Sequence, residues 1–241
     1  MPLPSISVPT YSLEIPSTNK KIKYRPFLVR EEKLLIIAKE SQDPEQVNQA
    51  IKDVLQNCIL TKGVDIEKLT SFDIEYLFLN VRGKSVGEEV EVLITCLDDM
   101  KTQVPVAINL DDIKVVQNER HTRDIELDEA FKLRMKYPSL EQFVKQNYDV
   151  GPKQSDQLES TFAMIADCIE QVYNDEESFS AADEDPKHIR EWIEMLSPQH
   201  LEKVNDFFET MPKLSHTVEI INPNTGVRND IVLEGLNSFL A

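Results

Sequence analysis

The chain has 241 residues, 41% of them hydrophobic and 29% charged, with a formal net charge of −17. That length is enough to bury a core without covalent staples, and three cysteines (Cys58, Cys96, Cys168) make no disulfide scaffold and fit a reducing compartment. The negative balance repels polyanions and so argues against nucleic acid as a partner.

The first nine residues alternate proline with small and apolar residues and read as an extended arm. With no basic n-region and no apolar h-region they predict no signal peptide. The longest apolar run, 34–38, is far below the ~20 residues of a membrane span, so no membrane role is expected. Residues 11–15 and 22–27 are strand-like and flank the turn Pro16-Ser17-Thr18-Asn19, which predicts an N-terminal hairpin. Lys20, Lys21, Lys23 and Arg25 alternate with apolar residues there. They read as the solvent face of a strand rather than as a phosphate binder.

Helices follow. Residues 29–41 place Leu34, Leu35 and Ala38 on one stripe. Asp43, Pro44 and Gln46 supply an N-cap, an N1 proline and an N3 glutamine, and the helix they open aligns Val47, Ile51, Val54, Leu55, Cys58 and Ile59. Thr70 caps a third helix with Ile74, Leu77, Phe78 and Val81 inward, ending near Gly83 or Gly87. Residues 89–95 and 103–110 alternate as a half-exposed hairpin. Ile125, Leu127, Leu133 and Met135 suggest two strands around Asp128-Glu129, and Ser139 to Gln142 opens a short helix broken at 150–152. Residues 158–173 read as one amphipathic helix and 174–185 as an acidic exposed loop. Asp185-Pro186 and Ser197-Pro198 start two more helices, running through Met195 and to about Thr210. Residues 217–221 and 229–233 form a last hairpin around Asn222-Pro223-Asn224-Thr225-Gly226.

The order repeats. Leu69-Thr70 matches Leu196-Ser197, Ile74-Glu75 matches Leu201-Glu202, and Val90-Glu91-Val92 matches Val218-Glu219-Ile220. Gln56-Asn57-Cys58-Ile59 and Ala166-Asp167-Cys168-Ile169 are alike and each lie near the end of an amphipathic helix. The expected fold is α+β, with two diverged helix–helix–β-hairpin units, an N-terminal β-hairpin and a small β/α connector. The boundaries are 1–27, 28–118, 119–151 and 152–241.

No chemistry stands out. The histidines (His121, His188, His200, His216) have no metal-ligand spacing and lie near no cysteine. There is no Cys-x-x-Cys, Walker, dinucleotide-binding or nucleophile-elbow pattern, and no acidic cluster has calcium-loop spacing. Neither a catalytic residue, a metal nor a cofactor is expected. Candidate partner-binding residues are Tyr24, Arg25 and Phe27, which with the proline-rich arm suit strand addition. Arg82 and Lys84 make a small basic spot that also reads as cations at a helix C-terminus. The tips at 96–101 and 222–228 are expected to be exposed.

Several runs carry a family resemblance: Tyr24-Arg25-Pro26-Phe27-Leu28-Val29-Arg30-Glu31-Glu32, Gln56-Asn57-Cys58, Leu69 to Leu79 with Arg82-Gly83-Lys84-Ser85-Val86-Gly87, Phe207-Phe208-Glu209-Thr210-Met211-Pro212, and Leu233-Glu234-Gly235-Leu236-Asn237-Ser238-Phe239. As a set they resemble the baseplate hub and hub-assembly proteins of T4-like contractile-tailed phages, over nearly the whole chain. The resemblance implies a structural or assembly role without catalysis, with other phage baseplate or tail proteins as partners. It places the protein in the host cytoplasm during assembly and, for a retained subunit, in the virion tail baseplate. The alternative is a tail-assembly chaperone for a tape-measure-like partner, absent from the mature particle. Some relatives carry Cys-rich, ribbon-like hairpin tips. Here the first tip keeps only Cys96 and the second has none, so the resemblance implies no zinc in this chain.

Overall fold

Side-chain caps decide where most of the helices begin. The computed structural model describes residues 7–41, 43–129, 131–139, 141–142 and 154–239. Its helices are α1 (Val29–Ser41), α2 (Pro44–Cys58), α3 (Ser71–Val86), α4 (Gln154–Cys168), α5 (Pro186–Glu194) and α6 (Pro198–Thr210). Asp43, Asp185 and Ser197 each accept a backbone N–H of the first turn, and proline follows each of them at the first helical position. Thr70 and Asp73 form a reciprocal capping box on α3. These contacts satisfy N–H groups that a helix start leaves orphaned.

The strands are β1 (Tyr11–Ile15), β2 (Lys20–Tyr24), β3 (Glu89–Thr95), β4 (Gln103–Asn109), β5 (Lys114–Val116), β6 (Asp124–Glu126), β7 (Lys132–Met135), β8 (Ile169–Tyr173), β9 (Ser178–Ser180), β10 (Lys213–Ile221) and β11 (Arg228–Glu234). They make four antiparallel sheets: β1–β2, β3–β4, β11–β10–β5 and β6–β7–β8–β9. The fold is α+β.

The chain forms two compact units, and they do not follow the boundaries expected from sequence. Residues up to Val116 and from Lys213 onward make unit 1; Gln117–Pro212 makes unit 2. The segment expected as one unit from 152 to 241 is thus divided. The cause is a non-local pairing: Lys213 and Ser215 of β10 lie opposite Val116 and Lys114 of β5. This pairing also explains why β10 starts at Lys213 rather than at the expected residue 217.

Unit 1 packs Val54, Leu55 and Cys58 of α2, Leu77, Leu79 and Val81 of α3, and Leu214 and Phe239 from the far end of the chain, all fully buried. Unit 2 builds its core from Leu133 and Met135 of β7, Ile165 and Cys168 of α4, Ile193 of α5, and Val204 and Phe207 of α6. The helix expected over 158–173 stops at Cys168, and residues 169–173 are the strand β8. Ile169, Val172 and Tyr173 are β-branched or aromatic, and β8 lies inside the sheet, with Ile169 opposite Met135 and Val172 opposite Leu133. The expected loop 174–185 contains β9 and a 3-10 turn. Of the short helix expected from Ser139, the described part shows Ser139 N donating to Gln142 Oε1 at 2.6 Å. The break at 150–152 and the first six residues of the arm lie outside the described residues.

The repeated order is longer than the sequence comparison found. Each copy opens on a hairpin, β1–β2 or β6–β7. Each has a helix ending in a buried cysteine followed by an extended isoleucine. The cysteine carbonyl accepts from the basic residue after the hairpin: Arg25 N to Cys58 O at 2.9 Å, and Lys136 N to Cys168 O at 2.7 Å. A capped helix, a long hairpin and a 3-10 turn close each copy. The part read as a connector therefore includes the opening hairpin of the second copy.

Candidate functional site

The five residues predicted to meet a partner fall around one joint in unit 1, where the segment after β2 meets the end of α3. Most of them turn inward. Tyr24 is 2% exposed, and burial pushes its hydroxyl up to about 12. Arg25 donates to Glu31 Oε1 at 2.9 Å and to Pro26 O. Glu31 is itself buried. Burial raises its pKa, but bonds from Arg25, Arg30 and Leu28 N outweigh that and bring it to about 2. Lys84 is spent on Glu88 and Asp111 and lies over the Tyr11 ring. Tyr24, Arg25 and Lys84 therefore fasten the N-terminal hairpin rather than face solvent.

Phe27 and Arg82 differ. Phe27 is half-buried, and its N–H donates to Ser85 Oγ at 2.8 Å, which lays residues 27–29 against the last turn of α3. Arg82, one turn earlier on α3, is half-buried and has no ion pair among the described residues. Burial lowers its pKa. Leu28, Val29 and Val86 are exposed here, as are Ile36 and Ile37 on the outer face of α1. The stripe expected to bury Leu34, Leu35 and Ala38 buries Ala38, half-buries Leu35 and leaves Leu34 41% exposed.

The long hairpin tips, expected to be exposed, are so over most of their length, and they also grip each other within unit 1. Asn229 Oδ1 accepts from Leu97 N at 2.8 Å and Asp98 N at 3.1 Å, while its amide donates to Asp98 Oδ1 and Val227 O. Asn222 Nδ2 donates to both Asp98 oxygens, and Thr225 Oγ1 to Asp98 Oδ2 at 2.5 Å. Donation from Thr225, Asn222 and Asn229 lowers the Asp98 pKa. Cys96 and Asn222 are fully buried by this contact, while Leu97, Met100, Ile221 and Val227 stay exposed around it. Sequence reading missed the lock. The one available signal was chemical complementarity, acids at 98–99 on one tip and amides at 222, 224 and 229 on the other.

Burial shifts other titratable groups as well. Burial pushes the Cys58 and Cys168 thiols up to about 11 and about 12, and raises Cys96. Such groups stay protonated and poorly nucleophilic. In unit 2, His121 is held between Thr210 Oγ1 and Tyr137 OH at 3.0 Å each. Glu75 of α3 is pushed up to about 7 by burial and accepts from Leu236 N at 2.8 Å, tying down the C-terminal 3-10 turn. Among the described residues no group of His, Cys, Asp or Glu could hold a metal ion, and no helix is long and apolar enough to cross a membrane.

This arrangement offers exposed apolar patches on a polar-locked frame, a geometry suited to holding other proteins. The family model described as T4 bacteriophage base plate protein matches residues 8–241. No curated protein and no solved structure matches the chain. On the extent of that family match, the chain belongs to the T4 bacteriophage base plate protein family.

Proposed function

We propose that this member of the T4 base plate protein family is a component of the baseplate hub, or of its assembly, and acts by protein–protein contact without catalysis. One observation supports the reading most. Leu28 and Val29 are exposed where Phe27 meets Ser85, and Val86 is exposed one turn after Arg82, a guanidinium with no internal ion pair among the described residues. An apolar patch around an Arg with spare donors is the composition of an interface centre. Phe27 and Arg82 are the partner-binding residues of this proposal, and the partners are other baseplate or tail proteins.

Mass spectrometry of purified particles, together with pull-down from infected cells, tests it. A hub subunit is present at fixed copy number, and Arg82→Glu with Val29→Asp removes it from particles without unfolding it. Absence from particles, with a tape-measure-like protein captured in the pull-down, replaces this reading with the tail-assembly chaperone. Retention of the double variant at normal copy number overturns the proposed surface.

A further inference from the structure

Unit 2 contains a concave apolar feature at the edge of its core. A pocket of about 320 Å³ opens between the sheet and α5. Ile169 and Val172 of β8 form its floor, and Ile189 and Trp192 of α5 form one wall. Phe131 and Phe179 stand at its mouth, 39% and 45% exposed. The volume is at the small end of binding pockets, enough for one bulky side chain. Exposed aromatic rings beside a preformed hole are what an interface anchor needs.

The surroundings say what kind of segment would carry that anchor. Residues 117–212 contain 22 Asp and Glu against 10 Lys and Arg, so this unit holds most of the net charge of the chain. Glu184 and His188 lie on the pocket lining, 3.9 Å apart, and Asp175, Glu176, Glu177, Asp183 and Asp185 are exposed on the loops nearby, outnumbering the exposed Lys187 and Arg190 of α5. A negative rim around an apolar hole attracts a positive segment and repels a negative one. We propose that this pocket binds a partner protein through a bulky apolar side chain flanked by lysine or arginine. The inference stands on unit 2 alone and does not depend on the surface proposed for unit 1.

Trp192 is the single tryptophan of the chain, so its emission reads the pocket directly. Three tryptophan-free peptides are titrated into the full-length protein: a Phe-Leu centre flanked by lysines, the same centre flanked by glutamates, and lysine flanks around a Ser-Gly centre. The expected result is a saturable blue shift with the first, weakened by added salt. Binding of the second is about tenfold weaker or more, and the third gives no shift. Ala181→Leu, which fills the pocket, and Phe179→Ser, at an exposed position, each lose the response while far-UV circular dichroism is unchanged. No shift with the first peptide, equal affinity for both charge types, or a shift that survives both variants overturns the proposal. So does a dimer by sedimentation that the Phe131→Ser, Phe179→Ser double variant dissociates and the peptide does not, which makes a second copy the occupant.

Discussion

Unit 1 buries Glu31, Ser71, Asp73, Asn222 and Asn229, whereas no polar or charged residue of unit 2 is buried among the described residues. The difference follows how each is assembled. Unit 2 is one continuous stretch, and alternation along its strands and helices suffices to set register. Unit 1 joins both ends of the chain, and three of these polar side chains, Asp73, Asn222 and Asn229, sit where distant segments meet. Asp73 receives Ser17 N and Oγ from the first turn, Asn222 and Asn229 take Asp98 across the hairpin tips, and Glu75 holds Leu236 N. Apolar surfaces tolerate many partners, but a buried amide or carboxylate left unpaired costs several times what a made hydrogen bond returns. Such groups penalise wrong pairings of segments that chain proximity does not bring together.

The largest effect expected is at Arg25, whose side chain is 11% exposed against a Glu31 that is 1% exposed. Arg25→Met leaves the buried Glu31 carboxylate with only the exposed Arg30 and Leu28 N and destabilises unit 1 by about 3 kcal/mol, measured by denaturant unfolding, while Arg25→Met with Glu31→Leu recovers much of it. Equal losses in the single and double variants break the account of Glu31 as a paired charge.

pH separates the units by sign. Glu75 titrates at about 7 in the folded chain against 4.5 unfolded, so the folded state binds the extra proton between these values. The Glu75 contribution to unit 1 is therefore fully present below pH 4.5, and about 2–3 kcal/mol of it is lost as pH rises to about 7. His121 in unit 2 has the opposite sense. Burial lowers its pKa against the pull of Asp206, so unit 2 gains stability as pH rises toward 6.5. Hydrogen exchange resolved by unit should show the two slopes crossing, and Glu75→Gln should flatten the first alone. Glu31 acts in a lower window, adding stability to unit 1 as pH climbs from about 2 to 4.5 and losing it on the way down.

Asn229→Leu leaves Leu97 N and Asp98 N without their acceptor and costs unit 1 about 2 kcal/mol. Faster amide exchange at 97–98 with unchanged exchange in unit 2 is the expected readout; protection that persists means the tips hold without the lock. The smallest effect is at Gly235, where φ is +72° and an added Cβ would lie 3.9 Å from Glu75 Oε2. The space is adequate, so Gly235→Ala costs only the left-handed backbone, about 1 kcal/mol, visible as a small fall in thermal midpoint.

The sequence by itself determined the local structure. Asp43-Pro44, Thr70 with Asp73, Asp185-Pro186 and Ser197-Pro198 each carry their helix start within a few residues, and α1 and β3 run over the spans that periodicity predicts. Only tertiary structure decided what touches what. An apolar stripe ending in Ile169-Glu170-Gln171-Val172-Tyr173 fits a helix until β7 claims it as a strand. Arg25 and Lys84 look like a surface until Glu31, Glu88 and Asp111 occupy them, and Tyr24 until the fold buries it. The hairpin tips look free until Asn222 and Asn229 reach Asp98, more than 120 residues away in sequence. Caps, turns and periodicity act over a few residues and are written there. Pairing between distant strands and satisfaction of buried polar groups depend on groups that only the folded chain brings within hydrogen-bond reach.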